Sequence, residues 1–162
     1  MGTQSNKELF LNGFVKLLKE QPTDVLLKAC DGDKKAVIHA HKLILSARSE
    51  VFKKILESDN LKASSRLETI TLSELKHEEL EALVEFIYSD GSMLSKKAKQ
   101  YVRSLYRAAD KYEIPHLRDL CRNELISSLG SSNALQLLVF AQIPFDKALS
   151  DAVFNVIKEN TF

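Results

Sequence analysis

The sequence lacks a charge excess of either sign. Its 162 residues include 23 Lys and Arg and 22 Asp and Glu, which gives a formal net charge of +1. Proteins that bind nucleic acid through phosphates usually carry a basic surplus, so this class is not expected. There is also no apolar run near the roughly 18–20 residues of a membrane span, and no signal peptide. We therefore expect an intracellular protein of the cytoplasm, the nucleus or both, with no nucleic-acid or membrane partner.

Cysteine and glycine are scarce. Cys30 and Cys121 lie far apart with no pairing motif, so we expect two reduced, buried thiols. The five glycines form neither a phosphate-binding loop nor a nucleophile turn, so neither an enzyme nor a bound cofactor is expected. A hydrolase that uses Cys121 and His116 is an alternative from another class. Their spacing fits one helical face poorly, and an inert core thiol is the simpler interpretation of Cys121.

Four histidines are present, and only His39 and His41 have a spacing that places two rings on one strand face. Two ligands do not make a metal site, and no third Cys, His or carboxylate has a motif spacing to them. We therefore expect no metal ion. The densest basic run, residues 96–99, is interpreted as a solvated helix start without a ligand.

The apolar pattern changes its period along the chain, which predicts a mixed fold. A helix is predicted from Ser5 to Glu20, where Ser5 and Glu8 have capping-box spacing, and Pro22 stops it. A strand hairpin, two short helices, a third strand and five helices follow. The predicted strands are 25–30, 35–40 and 67–72, and the two short helices are 43–47 and 49–56. The five later helices have apolar stripes centred on Leu83, Leu105, Cys121, Leu137 and Val153. The last of these stripes begins at Phe145. The fold class is therefore α+β, with a small sheet capped by helices.

The first helix carries an apolar stripe formed by Phe10, Phe14, Leu17 and Leu18. Each of these side chains contributes roughly 1.5–3 kcal/mol if fully buried, so the four give roughly 6–12 kcal/mol gross. Association costs about 4–15 kcal/mol, so the stripe suffices only when both subunits contribute it, as a two-fold interface requires. We expect this helix to form the interface of a homodimer. Packing of the helix on the chain's own sheet is the alternative.

Several stretches together resemble the signature of one family. The motif TDV at 23–25 is followed by HAHKLILSARSEVF at 39–52, then by EFIY at 85–88 and LYRAADKY at 105–112. This pattern resembles the BTB/POZ family, of the MATH-BTB or BTB-only cullin-3 adaptor type, from about residue 20 to about residue 127.

The resemblance implies the BTB/POZ fold, with a three-stranded sheet capped by helices and a C-terminal helix pair. Its segments are 1–22, the amphipathic dimerisation helix, 23–129, the BTB/POZ domain, and 130–162, a helical extension similar to the start of a BACK region. It also implies homodimerisation and, often, binding of the cullin-3 scaffold at the end of the helix after Phe52. The family's contact pattern there is hydrophobic, any residue, glutamate, and Ile55-Leu56-Glu57 matches it.

The function that the resemblance implies is a dimeric adaptor that brings a substrate protein, unknown from the sequence, to a cullin-3 ubiquitin ligase. A scaffold or transcriptional co-regulator that does not bind cullin is the alternative. The resemblance also places Asp24 in a charged pocket near the dimer interface, with Lys42 as its basic neighbour; a purely structural ion pair is the competing interpretation. About twenty residues precede the BTB-like segment in this sequence, so we expect no MATH, Kelch or zinc-finger domain among them. Substrate would then be recruited by the protein's own surface, by its final helices or by another part of a longer chain.

Overall fold

The computed structural model describes residues 5–32, 36–58 and 67–160. Within these ranges the chain forms a three-stranded sheet in which a central strand pairs antiparallel with one neighbour and parallel with the other. In spatial order the strands are β2 (Val37–Ala40), β1 (Val25–Ala29) and β3 (Glu68–Leu72). The predicted hairpin is therefore confirmed, although residue 35 of its second strand lies outside the described ranges.

Helices surround this sheet and make up most of the described chain, which confirms the predicted α+β class. In chain order they are α1 (Asn6–Glu20), α2 (Lys42–Arg48), α3 (Glu50–Leu56), α4 (His77–Ile87), α5 (Lys96–Gln100), α6 (Val102–Lys111), α7 (Pro115–Ser127), α8 (Ala134–Phe140) and α9 (Lys147–Asn160).

The helix starts follow from local sequence. The Ser5 hydroxyl accepts a 3.2 Å hydrogen bond from the Glu8 amide, and the Glu8 carboxylate accepts a 2.7 Å bond from the Ser5 amide, so the predicted capping box is confirmed. The Ser49 hydroxyl accepts from the Phe52 amide at 3.0 Å and starts α3. Pro115 lies in the first turn of α7, where its missing N–H leaves no bond unmade.

The core lies between the sheet and the helices that cover it. Alternate side chains of β1, beginning with Val25 and Leu27, are buried, while Thr69 and Thr71 on the outer face of β3 are exposed. The Phe52 ring stacks on the Tyr112 ring with 4.7 Å between centroids, which joins α3 to the end of α6. The predicted stripes of α4, α6 and α7 all supply buried side chains to this core.

Three details differ from the sequence-based expectation. Cys30 lies in the turn after β1 and is exposed, so the prediction of a buried thiol is wrong there, whereas Cys121 is buried. The backbone at Tyr101 leaves the helical region (φ −110°, ψ 29°), so α5 is separate and six helices rather than five follow β3 in the described chain. Phe145 is 66% exposed because α9 begins only at Lys147, which puts Phe145 outside the helical repeat.

One buried carboxylate attaches the C-terminal helix pair to the rest of the fold. Asp146 precedes α9 and accepts a 3.1 Å hydrogen bond from the Leu149 amide. Its other oxygen accepts from the Tyr106 hydroxyl at 2.5 Å and from Arg122 Nε at 2.7 Å. Burial alone would raise the pKa of Asp146, but these three hydrogen bonds outweigh it and lower the pKa. The carboxylate therefore stays charged and ties α9 to α6 and α7.

Candidate functional site

Helix α1 is the most exposed apolar element at the N-terminal side of the fold. It has 15 residues and buries none of them. Of the predicted stripe, Phe10 is 71% exposed, Phe14 54% and Leu17 60%, and only Leu18 is half-buried against the core. The alternative expectation, that the stripe packs on the chain's own sheet, is therefore not what this fold does. Monomeric proteins seldom leave such a continuous apolar surface uncovered, so α1 is a candidate interface.

The aromatic residues of α1 are arranged as one surface. The Phe10 and Phe14 rings lie one turn apart with centroids 6.3 Å from each other and planes at 9°. Leu9, Leu11 and Val15 widen the exposed apolar area on the same helix. Large, stiff aromatic side chains of this kind supply much of the binding energy in protein interfaces.

A groove of about 810 Å³ separates α1 from the body of the protein. Phe14 lies on the α1 side, and Leu43 of α2 lies opposite, with Ile44 and Ile87 contributing further apolar surface. Arg48 also lines the groove and donates hydrogen bonds to the carbonyls at the end of α4, including that of Ile87 at 3.2 Å. The walls of this groove are therefore mainly apolar, and charged side chains of both signs, such as Arg48 and Asp90, also line it.

A histidine and a tyrosine fix the point at which α1 joins the body. His41 Nε2 donates a 2.6 Å hydrogen bond to the Gln21 carbonyl just after α1. The Tyr88 hydroxyl lies 2.7 Å from His41 Nδ1 and accepts a 2.8 Å bond from the His41 amide. Burial raises the pKa of Tyr88, opposed by the bond from the His41 amide and reinforced by the charge of Asp24. The Tyr88 hydroxyl can thus donate to Nδ1 while Nε2 donates to the Gln21 carbonyl, so both ring nitrogens of His41 have a partner.

The two residues of the predicted charged pocket meet through the main chain. The Asp24 carboxylate accepts a 2.8 Å hydrogen bond from the Lys42 amide, at the first residue of α2. A carboxylate at a helix N-terminus is stabilised by the free N–H groups and the helix dipole. Asp24 is exposed and Lys42 half-buried. Asp24 therefore supports the start of α2, and its role in a ligand pocket stays a prediction.

The residues predicted to contact cullin lie at the end of α3. Ile55 is half-buried, Leu56 is 5% exposed and belongs to the core, and Glu57 is exposed just past the helix. Ile55 and Glu57 are therefore available at the surface, while Leu56 faces inward as the variable middle position of the pattern allows. Residues 59–66, which follow, lie outside the described ranges.

The residues proposed for chemistry do not converge. Burial raises the pKa of the Cys121 thiol to about 12, with a smaller contribution from Glu124, so the thiolate is disfavoured. The His116 ring instead contacts the Gly91 carbonyl at 2.5 Å. His39 lies 3.4 Å from the Thr23 hydroxyl, whereas His41 belongs to the tyrosine contact. Among the described residues no group of three His, Cys, Asp or Glu is placed to hold a metal ion.

Residues that sequence reasoning overlooked include Gln21 and Tyr88, which hold α1, and Asp146, which holds α9. No local pattern marks them, because their partners lie far away in the chain. The exposed side of α8 was visible in the sequence as an almost wholly apolar stretch, 134–141. As for membranes, none of the helices in the described ranges combines the length and apolarity that a bilayer crossing requires.

Comparisons with known proteins agree with this architecture. The family model of the BTB/POZ domain matches residues 14–129. One BTB/POZ domain-containing protein of Arabidopsis thaliana is 73% identical over 156 residues, which cover 95% of this chain and 94% of the relative. Another from the same plant is 69% identical over 163 residues, covering 99% and 78%. The BTB domain of zebrafish PATZ1 has a TM-score of 0.56 at 17% identity, covering 80% of this chain and 99% of that one, which indicates a shared fold.

Proposed function

The chain belongs to the BTB/POZ domain family of protein-interaction modules, and from that premise we propose that it is a homodimeric adaptor between cullin-3 and a substrate protein. The observation that carries the proposal is the surface of α1. This helix buries none of its residues within the monomer, although seven of its 15 residues carry large apolar side chains. A second copy of the same helix offers the same apolar face, which a two-fold interface can bury from both sides.

The cullin contact proposed here uses Ile55 and Glu57. Both side chains reach the surface at the end of α3, where an aliphatic group and a carboxylate stand two residues apart. The aliphatic side chain would enter an apolar pocket of the scaffold, and the carboxylate would accept hydrogen bonds there. Glu57 lies at the edge of such a contact, where charge favours specificity more than affinity.

The adaptor would perform no chemistry. A dimer presents two cullin contacts, so a substrate bound to either subunit is held near a ubiquitin-charged enzyme on either scaffold. Holding two reactants together raises their effective concentration, which is the form of catalysis that an adaptor supplies. This account agrees with the inert Cys121 and the dispersed histidines.

A second candidate function is favoured by the groove between α1 and α2. Its apolar walls and volume of about 810 Å³ suit a peptide segment as well as a dimer contact. A dimeric scaffold or transcriptional co-regulator would use that groove and leave the end of α3 unoccupied.

Light scattering of the purified chain with and without the N-terminal segment of cullin-3 tests the proposal. We expect a dimer whose mass rises by two cullin segments. The double variant Ile55→Ala, Glu57→Ala should remain a dimer and lose the cullin, while Lys54→Ala, an exposed change on the same helix, should retain both. A dimer that ignores cullin would favour the scaffold function. A monomer would contradict both.

A further inference from the structure

Helix α8 is apolar on nearly every side. Only Gln136 is polar among its seven residues. One side faces the core through Leu137 and Phe140. The other side faces solvent through Leu135, which is 70% exposed, and Val139, which is 74% exposed. A helix that is apolar all round is normally covered on all sides, so the outer side of α8 is suited to a partner.

The exposed apolar surface continues beyond α8. Ile143 and Phe145 project from the turn before α9, and Phe154 projects from α9 itself. A groove of about 510 Å³ lies between the two helices, and Val139, Phe145 and Phe154 line it. The apolar side chains of a third helix can bind in a groove of this kind between two packed helices. We call this the α8–α9 surface, formed by Leu135, Val139, Ile143, Phe145 and Phe154.

Basic side chains border the α8–α9 surface. The Arg107 guanidinium donates a 3.0 Å hydrogen bond to the Ile143 carbonyl. It also lies 4.5 Å from the centroid of the Phe140 ring of α8. Arg103 lies 6.0 Å from the same ring. Lys147 lines the groove with its side chain 80% exposed, paired with Asp151 at 2.6 Å. Lys147 and Asp151 together carry no net charge, so the surplus positive charge at this border comes from Arg103 and Arg107.

We propose that the α8–α9 surface binds an acidic amphipathic helix of a partner protein. The apolar side chains of the partner helix would enter the groove beside Val139 and Phe154. The carboxylates of that helix would contact Arg107 and Lys147. Under the adaptor function proposed above, on which this role rests, the partner is the substrate. The family model ends at residue 129, so this surface belongs to the extension and not to the matched BTB/POZ segment.

The positive border argues against a second copy as the occupant. Two α8–α9 surfaces facing each other would bring the guanidinium groups of Arg107 and Arg103 toward their copies, which costs free energy in a desolvated contact. An acidic helix gains at the same positions. The α1 surface, by contrast, has stacked aromatic rings at its centre and is the better candidate for self-association.

Fluorescence anisotropy on the full chain tests the proposal. The probe is a labelled helical peptide with leucine at its apolar positions and glutamate at its polar positions, and its matched control has lysine in place of each glutamate. We expect the acidic peptide to bind at least about 10-fold more tightly than the basic one. Val139→Ser should weaken the acidic peptide by about 10-fold, the size expected for one buried aliphatic side chain. Lys147→Glu should weaken it by several-fold, and more at low salt.

Matched variants separate the site from general effects. Met93→Ser, an equally exposed apolar side chain outside both grooves, and Lys54→Glu on α3 should leave peptide binding unchanged. Equal binding of both peptides, no binding, or an unaffected Val139→Ser variant would overturn the proposal. So would a change of oligomer mass on Val139→Ser, which would assign the surface to a second copy, or full competition by the cullin-3 segment.

The same samples keep the two proposals apart. The mass of the chain and its binding of the cullin-3 segment are measured alongside the peptide. Selective peptide binding without dimer or cullin would retain the α8–α9 site and reject the adaptor function. Dimer and cullin binding without selective peptide binding would do the reverse.

Discussion

The two ends of this molecule both expose apolar side chains, but they are attached to the fold in different ways. Helix α1 buries none of its residues and touches the body through Leu18 and the contact of Gln21 with His41. Helices α8 and α9 each bury several residues in the core. Exposed apolar area therefore has two origins here. On α1 it belongs to an element that the chain itself leaves uncovered, and on α8–α9 it is the outer side of an element that the fold already stabilises.

Substitutions in α1 should have the largest effect, which is on the oligomeric state. The double variant Phe10→Ser, Phe14→Ser removes four rings from a two-fold interface, and each buried ring is worth roughly 1.5–3 kcal/mol. We expect the dimer to dissociate at all practical concentrations, while the free energy of unfolding of the monomer stays within about 0.5 kcal/mol, since exposed positions contribute little. Light scattering and urea unfolding of the separated monomer measure the two effects. A variant that remains a dimer would show that another surface holds the subunits together.

At the C-terminal end we expect a substitution to lower the free energy of unfolding. Asp146→Ala leaves the Tyr106 hydroxyl and Arg122 Nε without their shared partner, and breaking a buried ion pair costs about 3–5 kcal/mol. Arg122 keeps a 2.9 Å contact between its Nη1 and the Asp119 carboxylate, which reduces the loss. We expect about 3 kcal/mol, the lower end, because the Arg122 side chain is 19% exposed. Asp151→Ala is the control, since its pair with Lys147 is exposed and should be worth about 0–1 kcal/mol. Equal losses in urea unfolding would contradict the anchoring role of Asp146.

The sequence predicts the local helix caps of this molecule, but it does not predict the long-range contacts that attach the two end helices. The capping box of Ser5 and Glu8 and the cap at Ser49 could be predicted because their partners lie three residues away. The anchors could not: Tyr106 and Asp146 are 40 residues apart, and His41 and Tyr88 are 47 apart. Residue periodicity reports which face of an element is apolar. It does not report whether the fold or another molecule covers that face.

Particular residues show the same difference. The stripe of α1 and the stripe of α8 look alike in the sequence, yet Phe14 is exposed and Leu137 is fully buried. Phe145 was expected in the last stripe and is exposed, because a tight turn precedes α9. The cullin contact at Ile55 and Glu57 stays a prediction, supported by the accessibility of both side chains.

The carboxylate that anchors α9 should contribute to the pH dependence of stability. The lowered pKa of Asp146 means that its carboxylate contributes fully above the unfolded value of about 3.9, and that this contribution is lost as the pH falls through the folded value. The stability gap between the native chain and Asp146→Asn should therefore be constant between about pH 7 and pH 5 and narrow below about pH 4. Urea unfolding across this range measures it. If this difference in stability widened as the pH fell, the charged form of Asp146 would not be the form that stabilises the fold.

The smallest expected effect concerns the attachment of α1. Tyr88→Phe removes the hydroxyl that meets both the His41 amide and His41 Nδ1, and an unpaired buried polar group costs about 1–3 kcal/mol. We expect about 1 kcal/mol, because Tyr88 is half-buried and water can replace part of the bonding. Hydrogen exchange should show faster exchange in α1 with little change in α9, since the anchor at Asp146 is intact. Tyr101→Phe, which removes a hydroxyl bound to Glu78 at the surface, is the matched control and should leave α1 unchanged. Faster exchange in both end helices would mean that the two attachments are coupled, and the distinction between a loosely held α1 and an anchored α9 would fail.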